Sequence, residues 1–253
     1  CERLFEQTHQ READGRFVVE LPLKENATQL INNRQRVMAQ YIATEKRLLK
    51  NPEAYKASNE FLKEYEQLGH MTQVDDSTEP LSTIAYYMPH HTVFKMDSST
   101  TKAREVFNAS AKTASGLSFN DVQCVGPTIQ SDGFTLLLKF RCHTIVIKAD
   151  MAKMYRQIKV VSSQHKFQRI FWRENPMETL KVYELNTVTY GTASASFQAT
   201  RCVKQLAIEA REEMPEAAQA LEDDSYVDDL LSGAKSVKDA VKITQQIDKI
   251  VSG

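Results

Sequence analysis

The chain has 253 residues, of which 42% are apolar and 26% charged, and its formal net charge is −1, which is typical of a globular protein. Its 8 glycines and 7 prolines exclude collagen-like and Pro/Gly-rich disordered chains, and its apolar runs are too short for a membrane span or a signal peptide. Its four cysteines lack zinc-site spacing and are too few for a disulfide scaffold, which favours a reducing compartment.

The first half of the chain carries start and stop signals for a helix. Asn51 followed by Pro52 is typical of a helix start, and Gly69 is typical of a helix end. The predicted elements are, in order, a strand at 16–21, a helical region that ends near 69, a loop at 73–80, and a hairpin of strands at 92–96 and 104–108.

The second half mixes strands and helices without a regular alternation. The predicted elements are a helix at 127–142, strands at 144–150, 157–161, 168–173 and 180–189, and helices at about 193–213 and 236–251. Pro215 ends or restarts the helix before it. Because a doubly wound sheet needs strands and helices in alternation, this order predicts an α+β fold.

Charge is distributed unevenly along the chain. Residues 95–173 carry 13 Lys/Arg against 5 Asp/Glu, whereas residues 174–253 carry 8 against 14. A basic segment suits a polyanionic partner and an acidic segment suits metal ions, but solvated surface faces explain the same pattern equally well. Charge alone leaves both interpretations open.

Two adjacent carboxylates, Asp228 and Asp229, interrupt an apolar strand pattern after Tyr226 and Val227. Asp is unfavourable in strands and neighbouring carboxylates repel, so the segment indicates a functional site, where bound Mg²⁺ would remove the repulsion. An exposed Asp-Asp turn is the more frequent explanation of such a tetrapeptide taken alone.

Asp150 ends a β-branched strand pattern at 144–150. If that strand ran antiparallel to the strand around Asp228, the two carboxylates could hold two Mg²⁺ about 3.5–4 Å apart, as in-line phosphoryl transfer requires. The alternative is that Asp150 caps a helix that begins at Met151.

The order of Asp150, the segment 190–196 and the segment 226–229 resembles motifs A, B and C of reverse transcriptases. Longer collinear segments resemble the polymerase of BEL/Pao-type LTR retrotransposons over roughly residues 16–245; they are 90–95, 97–102, 107–112, 125–130, 149–157 and 183–193. Agreement over several long motifs is far less frequent by chance than agreement over one tetrapeptide.

The resemblance implies the fingers and palm of a right-hand polymerase, with an antiparallel palm sheet packed on helices and an absent or truncated thumb. It implies an N-terminal leader at 1–30, fingers at 31–118, palm with motif A at 119–157, fingers at 158–190, and palm with motifs B and C at 191–253. Since the first residue is not Met, we expect a piece of a longer polyprotein, whose protease, RNase H and integrase would be further partners.

The resemblance also assigns the catalytic residues. Asp150 and Asp228 would bind two Mg²⁺ ions, with Mn²⁺ as a substitute, and the backbone carbonyl of Met151 would be a further metal ligand. Asp229 would support the site. Two residues depart from the family pattern without removing a metal ligand, since Ser196 stands where the family has Pro and Asn108 where it has Asp.

For the dNTP, the resemblance implies a Lys and an Arg at the triphosphate and an aromatic gate, Tyr155, that would exclude a ribose 2′-hydroxyl. The implied dNTP-binding residues are Lys95, Arg104, Lys153, Met154, Tyr155, Tyr190, Gly191 and Val227. Without the resemblance, Lys95 and Arg104 are ordinary surface cations and Tyr155 is a half-buried aromatic. The cations expected to contact the template-primer backbone are Lys139, Arg141, Lys148, Lys153, Arg156, Lys159, Lys166, Arg169 and Arg173.

The leading hypothesis is a fragment of an RNA-directed DNA polymerase that extends a primer 3′-OH from dNTPs on an RNA or DNA template for retrotransposon replication. Its partners would be the template-primer and dNTPs, without a membrane. It would act in the cytoplasm or in virus-like particles, with nuclear access for the DNA product. The alternatives are a retroelement relic that only binds nucleic acid, and a metal-dependent nuclease or phosphohydrolase.

Overall fold

Residues 1–80, 83–94 and 103–252 are described in the computed structural model of the chain. The helices are α1 (Glu2–Thr8), α2 (Arg34–Leu48), α3 (Pro52–Gln67), α4 (Gly133–Phe140), α5 (Ala195–Ala210), α6 (Pro215–Asp223) and α7 (Val237–Ser252). The strands are β1 (Gln10–Arg11), β2 (Phe17–Val19), β3 (Met71–Val74), β4 (His90–Phe94), β5 (Ala103–Phe107), β6 (Ile145–Asp150), β7 (Lys159–Val160), β8 (Arg169–Trp172), β9 (Lys181–Leu185), β10 (Ser225–Tyr226) and β11 (Asp229–Ala234). This mixed order confirms the predicted α+β class.

Local signals placed several of these elements correctly. Helix α3 begins at Pro52, and the Asn51 side chain accepts a hydrogen bond from the Ala54 amide, as an N-cap does. Gly69 follows the helix with φ +70°, a conformation that favours glycine. The strand predictions at 16–21 and 144–150 are confirmed by β2 and β6.

One helix prediction was wrong at its start. The sequence predicts a helix from Pro127, but α4 begins only at Gly133, after Asp132. The Asp132 carboxylate accepts hydrogen bonds from the amides of Phe134 and Thr135, both at 3.0 Å. An acidic N-cap thus determines the first turn, and the preceding proline belongs to the connection before it.

The described residues pack into two units, each with its own core. The first unit comprises Cys1–Val19, Gly126–Lys159 and Ser196–Gly253, and the second comprises Glu20–Val125 and Val160–Ala195. Among the helices of the described segments, none is long and apolar enough to cross a membrane.

The first unit contains an antiparallel sheet in the order β10-β11-β6. Strands β6 and β11 pair from Asp229 opposite Asp150 to Ala234 opposite Ile145. Helices α4, α6 and α7 pack against these strands, and the buried side chains include Ile147, Leu230 and Ile247. This is the sheet that carries the acidic residues.

The second unit combines helices α2 and α3 with two antiparallel sheets. One sheet has the order β3-β9-β8, and the other is the predicted hairpin of β4 and β5. Val37 of α2 packs in a buried cluster with Tyr87, Phe171 and Val182. The pairing of the two predicted hairpin strands is therefore confirmed, whereas the predicted turn at 97–101 lies outside the described residues.

Candidate catalytic carboxylate site

The hairpin between β10 and β11 turns at Val227 and Asp228. Tyr226 and Asp229 pair on either side of these two residues. Val227 has φ +55°, and Lys153 is the other non-glycine residue with positive φ in the described part of the chain. A positive φ at only the first of two central positions is the pattern of a type II′ turn, where glycine is preferred. A β-branched residue there is strained by about 1–3 kcal/mol, and strain of this kind is concentrated at functional sites.

Strand pairing brings the three aspartates to one end of the β6–β11 ladder. Asp150 lies opposite Asp229, and the next amide, that of Met151, donates a 2.8 Å hydrogen bond to the Asp228 carbonyl. Asp150 and Asp228 are exposed, and Asp229 is half-buried. Because β6 continues through Asp150 and the next helical turn begins only at Met154, Asp150 is not a helix cap, and that alternative was wrong.

The donors at this end of the sheet suit a magnesium ion that also binds substrate. Within the described ranges 1–80, 83–94 and 103–252, no three His, Cys, Asp or Glu side chains form a group that could hold a metal by themselves. Mg²⁺ is usually held by one or two carboxylates together with water and substrate phosphates. The exposed carboxylates of Asp150 and Asp228, with the Met151 carbonyl, provide oxygen donors of this kind.

Tyr155 lies near the carboxylates in the same unit. Burial raises the pKa of its hydroxyl, the negative charge of Asp228 raises it further, and a hydrogen bond with the Ser196 side chain acts in the opposite direction. The half-buried ring therefore lies within electrostatic reach of Asp228 and forms a hydrogen bond with Ser196.

Two more predicted nucleotide contacts of the first unit, Lys153 and Met154, lie in or next to a 3₁₀ turn at Met154–Gln157. Lys153 is exposed and precedes that turn with φ +54°. Met154 is only 6% exposed, so its side chain packs in the core. Any contact of Met154 with a nucleotide would therefore involve its backbone.

Arg104, Tyr190 and Gly191 lie together in the second unit, whereas Lys95 is outside the described residues. Arg104 is an exposed residue of β5, and the Tyr190 hydroxyl donates a 2.5 Å hydrogen bond to the carbonyl of the next residue, Glu105. Gly191 has φ +91°, and a Cβ atom there would lie 2.8 Å from the Phe107 carbonyl oxygen. The chain after Tyr190 thus approaches β5 so closely that only glycine fits.

A buried ion pair holds the β4–β5 hairpin from inside the second unit. One ring nitrogen of His90 contacts the Glu105 carboxylate, and the other lies 2.8 Å from the Phe171 carbonyl. Thr92 donates a 2.7 Å hydrogen bond to the second oxygen of Glu105. Burial alone would lower the pKa of His90, but the Glu105 charge and both hydrogen bonds raise it. This pair could not be predicted from the sequence, because each residue alone fits a surface strand.

Three cations expected to contact nucleic acid are engaged in ion pairs instead. Arg169 is only 3% exposed on its side chain and pairs with Glu79 and Glu184. Arg173 pairs with Glu45, and Lys159 pairs with Glu12. Lys139, Arg141 and Lys148 are exposed, as expected. A count of charges along the sequence cannot distinguish the cations in ion pairs from the exposed cations, because it indicates neither burial nor pairing.

The contact of Gln130 with the turn at Val227 was not predicted from the sequence. The Gln130 side-chain oxygen accepts a 2.8 Å hydrogen bond from the amide of Val227, across 97 residues of sequence. The only signal was that Gln130 closes the segment 125–130, which carries part of the family resemblance.

Comparison with known proteins gives a match to solved structures. No protein-family model and no curated protein sequence matches the chain. A selenomethionine-labelled CSH mutant of the prototype foamy virus protease-reverse transcriptase matches 79% of this chain and 22% of its own, with 15% identity and TM-score 0.58. The foamy viral protease-reverse transcriptase in complex with an RNA/DNA hybrid matches the same shares of the two chains, with 14% identity and TM-score 0.59.

A third solved structure, the foamy viral protein in complex with double-stranded DNA, matches 74% of this chain and 27% of its own, with 14% identity and TM-score 0.55. The chain thus spans about a fifth to a quarter of the length of these solved chains. Identity at this level carries information on the fold alone. The chain has a fold of the reverse-transcriptase type, consistent with a partial fingers-and-palm region.

Proposed function

We propose that the chain is the fingers and palm of an RNA-directed DNA polymerase that extends a primer 3′-OH from dNTPs. The observation that carries the proposal is the pairing of Asp150 with Asp229, together with the hydrogen bond from the Met151 amide to the Asp228 carbonyl. Two carboxylate-bearing segments that are distant in sequence thereby meet at one exposed end of a sheet. Carboxylates that converge from two strands can hold two metal ions for in-line phosphoryl transfer.

In this proposal, Asp150, Asp228 and the Met151 carbonyl would hold two Mg²⁺ ions, or Mn²⁺ in their place. The metals supply Lewis-acid activation of the primer 3′-oxygen and neutralise charge on the triphosphate. Asp229, half-buried beside Asp150, adds negative potential at the same end of the sheet. The strained turn at Val227 fixes the direction of the Asp228 side chain.

The nucleotide would be selected by the residues that the family resemblance assigns to it. The ring of Tyr155, near Asp228, would exclude a ribose 2′-hydroxyl and so favour deoxynucleotides. Lys95 and Arg104 would bind the triphosphate, because an ammonium and a guanidinium match phosphate oxygens. The remaining contacts would come from Lys153, the Met154 backbone, Tyr190, Gly191 and Val227.

The first unit would act as the palm and the second as the fingers, and the exposed cations Lys139, Arg141 and Lys148 would contact the template-primer backbone. Two of the matched solved structures hold double-stranded DNA and an RNA/DNA hybrid, which supports nucleic acid as the partner. The BEL/Pao assignment rests on the collinear motifs, and the protease, RNase H and integrase of that polyprotein would be the other partners.

The test is primer extension on poly(rA)/oligo(dT) with Mg²⁺, by the longest natural polypeptide that carries this chain. Asp228→Asn should lower the rate by about 10³-fold, because a metal ligand contributes several kcal/mol to the transition state. Asp248→Asn, an equal charge change on the exposed face of α7, is the matched control and should extend normally. Normal extension by Asp228→Asn would refute the proposal.

Two other outcomes would favour the alternative functions. Salt-dependent binding of template-primer without extension by the wild type would favour a nucleic-acid-binding relic. Cleavage of labelled DNA without dNTPs would indicate a nuclease.

A further inference from the structure

The turn that carries Asp228 needs support from outside the hairpin. Val227 has φ +55°, and its two Cβ branches make that conformation unfavourable. A two-residue turn with a non-glycine residue at this position persists only where surrounding contacts determine it. The contacts that hold Val227 therefore also determine where the Asp228 carboxylate lies.

Gln130 supplies such a contact at the strained residue itself. Its Oε1 accepts a hydrogen bond from the Val227 amide at 2.8 Å. The amide of the first central residue has no partner within a two-residue turn of this type, and here the Gln130 side chain supplies one from outside the turn. Gln130 is half-buried, which places the hydrogen bond partly out of water.

The segment that carries Gln130 is itself anchored at two places. Asp132, two residues on, caps helix α4, and this helix packs on β11. Gly133 lies against the ring of Tyr226, so that a Cβ atom there would be 3.5 Å from the ring. Residues 130–133 therefore contact both Tyr226 and Val227, and helix α4 holds this segment in place.

We infer that Gln130 is a positioning residue for the metal-binding carboxylate Asp228, an inference that rests on the proposed function for its catalytic meaning. The carboxamide holds the turn in the conformation that keeps the Asp228 carbonyl on the Met151 amide and Asp228 at the same end of the strand ladder as Asp150. Glutamine suits the position because its oxygen accepts the hydrogen bond without a charge. A glutamate would keep the acceptor but add a fourth carboxylate next to Asp150, Asp228 and Asp229.

Hydrogen exchange of the metal-free chain tests the positioning without any activity. Gln130→Ala should speed exchange of the Val227 amide by about five- to tenfold, the effect of losing one partly buried hydrogen bond. Exchange within α7 should stay unchanged, which shows that the first unit is still folded. Gln130→Met, which keeps the volume without the acceptor, is the second variant, and Gln245→Ala on the exposed face of α7 is the matched control.

A double-mutant cycle with Val227→Gly tests whether strain is the reason. Glycine adopts positive φ without strain. Gln130→Ala should therefore speed exchange of the amide of residue 227 less in the Val227→Gly background than in the wild type.

Mn²⁺ titration followed by electron paramagnetic resonance should show weaker Mn²⁺ binding in Gln130→Ala than in Gln245→Ala. In primer extension, Gln130→Ala should lower kcat with little change in KM for dNTP, whereas Gln130→Glu should shift the pH profile.

Two results would overturn the inference: unchanged exchange at Val227 in both Gln130→Ala and Gln130→Met, or equal effects of Gln130→Ala in the two backgrounds. If no natural polypeptide with this chain extends a primer, the proposed function fails, but exchange and Mn²⁺ binding still decide whether Gln130 positions the turn.

Discussion

Asp150 and Asp229 lie directly opposite each other on the antiparallel strands β6 and β11. Like charges at opposed positions of a ladder destabilise the pair. The sequence therefore maintains an unfavourable pairing at an exposed end of the sheet, where Asp228 adds a third carboxylate. In the proposed function, a bound divalent cation would offset the repulsion between these carboxylates.

Replacing one carboxylate should stabilise the metal-free chain. It should also abolish the rise in melting temperature that added metal causes. We expect Asp150→Asn to raise the melting temperature in EDTA by about 1–3 °C, because it relieves repulsion across the ladder. Mg²⁺ or Mn²⁺ should raise the melting temperature of the wild type but not of this variant, since a ligand stabilises only the state that binds it. Differential scanning fluorimetry with Asp248→Asn as control measures both effects. A less stable variant that still responds to metal would contradict the prediction.

Signals that act within a few residues could be predicted from the sequence. Asn51, Pro52 and Gly69 determine the ends of a helix through contacts with their neighbours, and the strand that ends at Asp150 follows from its β-branched residues. The wrong start at Pro127 has the same local origin, because two start signals lay close together and the cap at Asp132 determined the helix.

Apart from the antiparallel pairing of the strands that carry Asp150 and Asp229, the contacts between distant segments could not be predicted. The hydrogen bond from Val227 to Gln130 and the pairing of Arg169 with Glu79 depend on chain topology, which local patterns do not encode. The acidic residues of the site could be singled out because they interrupt or end strand patterns and because their motifs resemble a family, whereas Gln130 breaks no local pattern. The distinction between surface and core cations likewise required the structure.

Tyr155 should determine the choice between deoxyribonucleotides and ribonucleotides. Tyr155→Ala should improve incorporation of rNTPs relative to dNTPs by about 10²-fold, the scale on which a pocket rejects one additional group. Tyr155→Phe keeps the ring but loses the hydrogen bond with Ser196, so it should keep most of the discrimination. Single-nucleotide extension with matched dNTP and rNTP concentrations measures the ratio. Equal ratios for the wild type and Tyr155→Ala would show that the ring is not the gate.

Gly191 should tolerate no side chain. Gly191→Ala places a Cβ atom 2.8 Å from the Phe107 carbonyl oxygen at φ +91°, so we expect a loss of stability of about 2–4 kcal/mol from strain and clash together. Gly116 is a matched control, because it has φ +78° but nothing within 4 Å of its Cβ position. Gly116→Ala should therefore show the strain without the clash. Urea unfolding measures both, and equal losses would mean that the close approach to β5 is unimportant.

The His90–Glu105 pair should make stability depend on pH. Burial opposes the charged imidazole, but Glu105 and the Phe171 carbonyl raise the pKa of His90 above its ordinary value of 6.5. A group whose pKa is higher in the folded state stabilises the protein fully below the unfolded-state pKa, and this contribution is lost as the pH rises through the folded-state pKa. The free energy of unfolding of the wild type should therefore fall as the pH rises above about 6.5, as urea unfolding would measure. His90→Gln should remove this slope, whereas His91→Gln, at the exposed neighbouring position of β4, should keep it. The same slope in both variants would show that His90 is neutral in the folded chain and that the buried ion pair does not form.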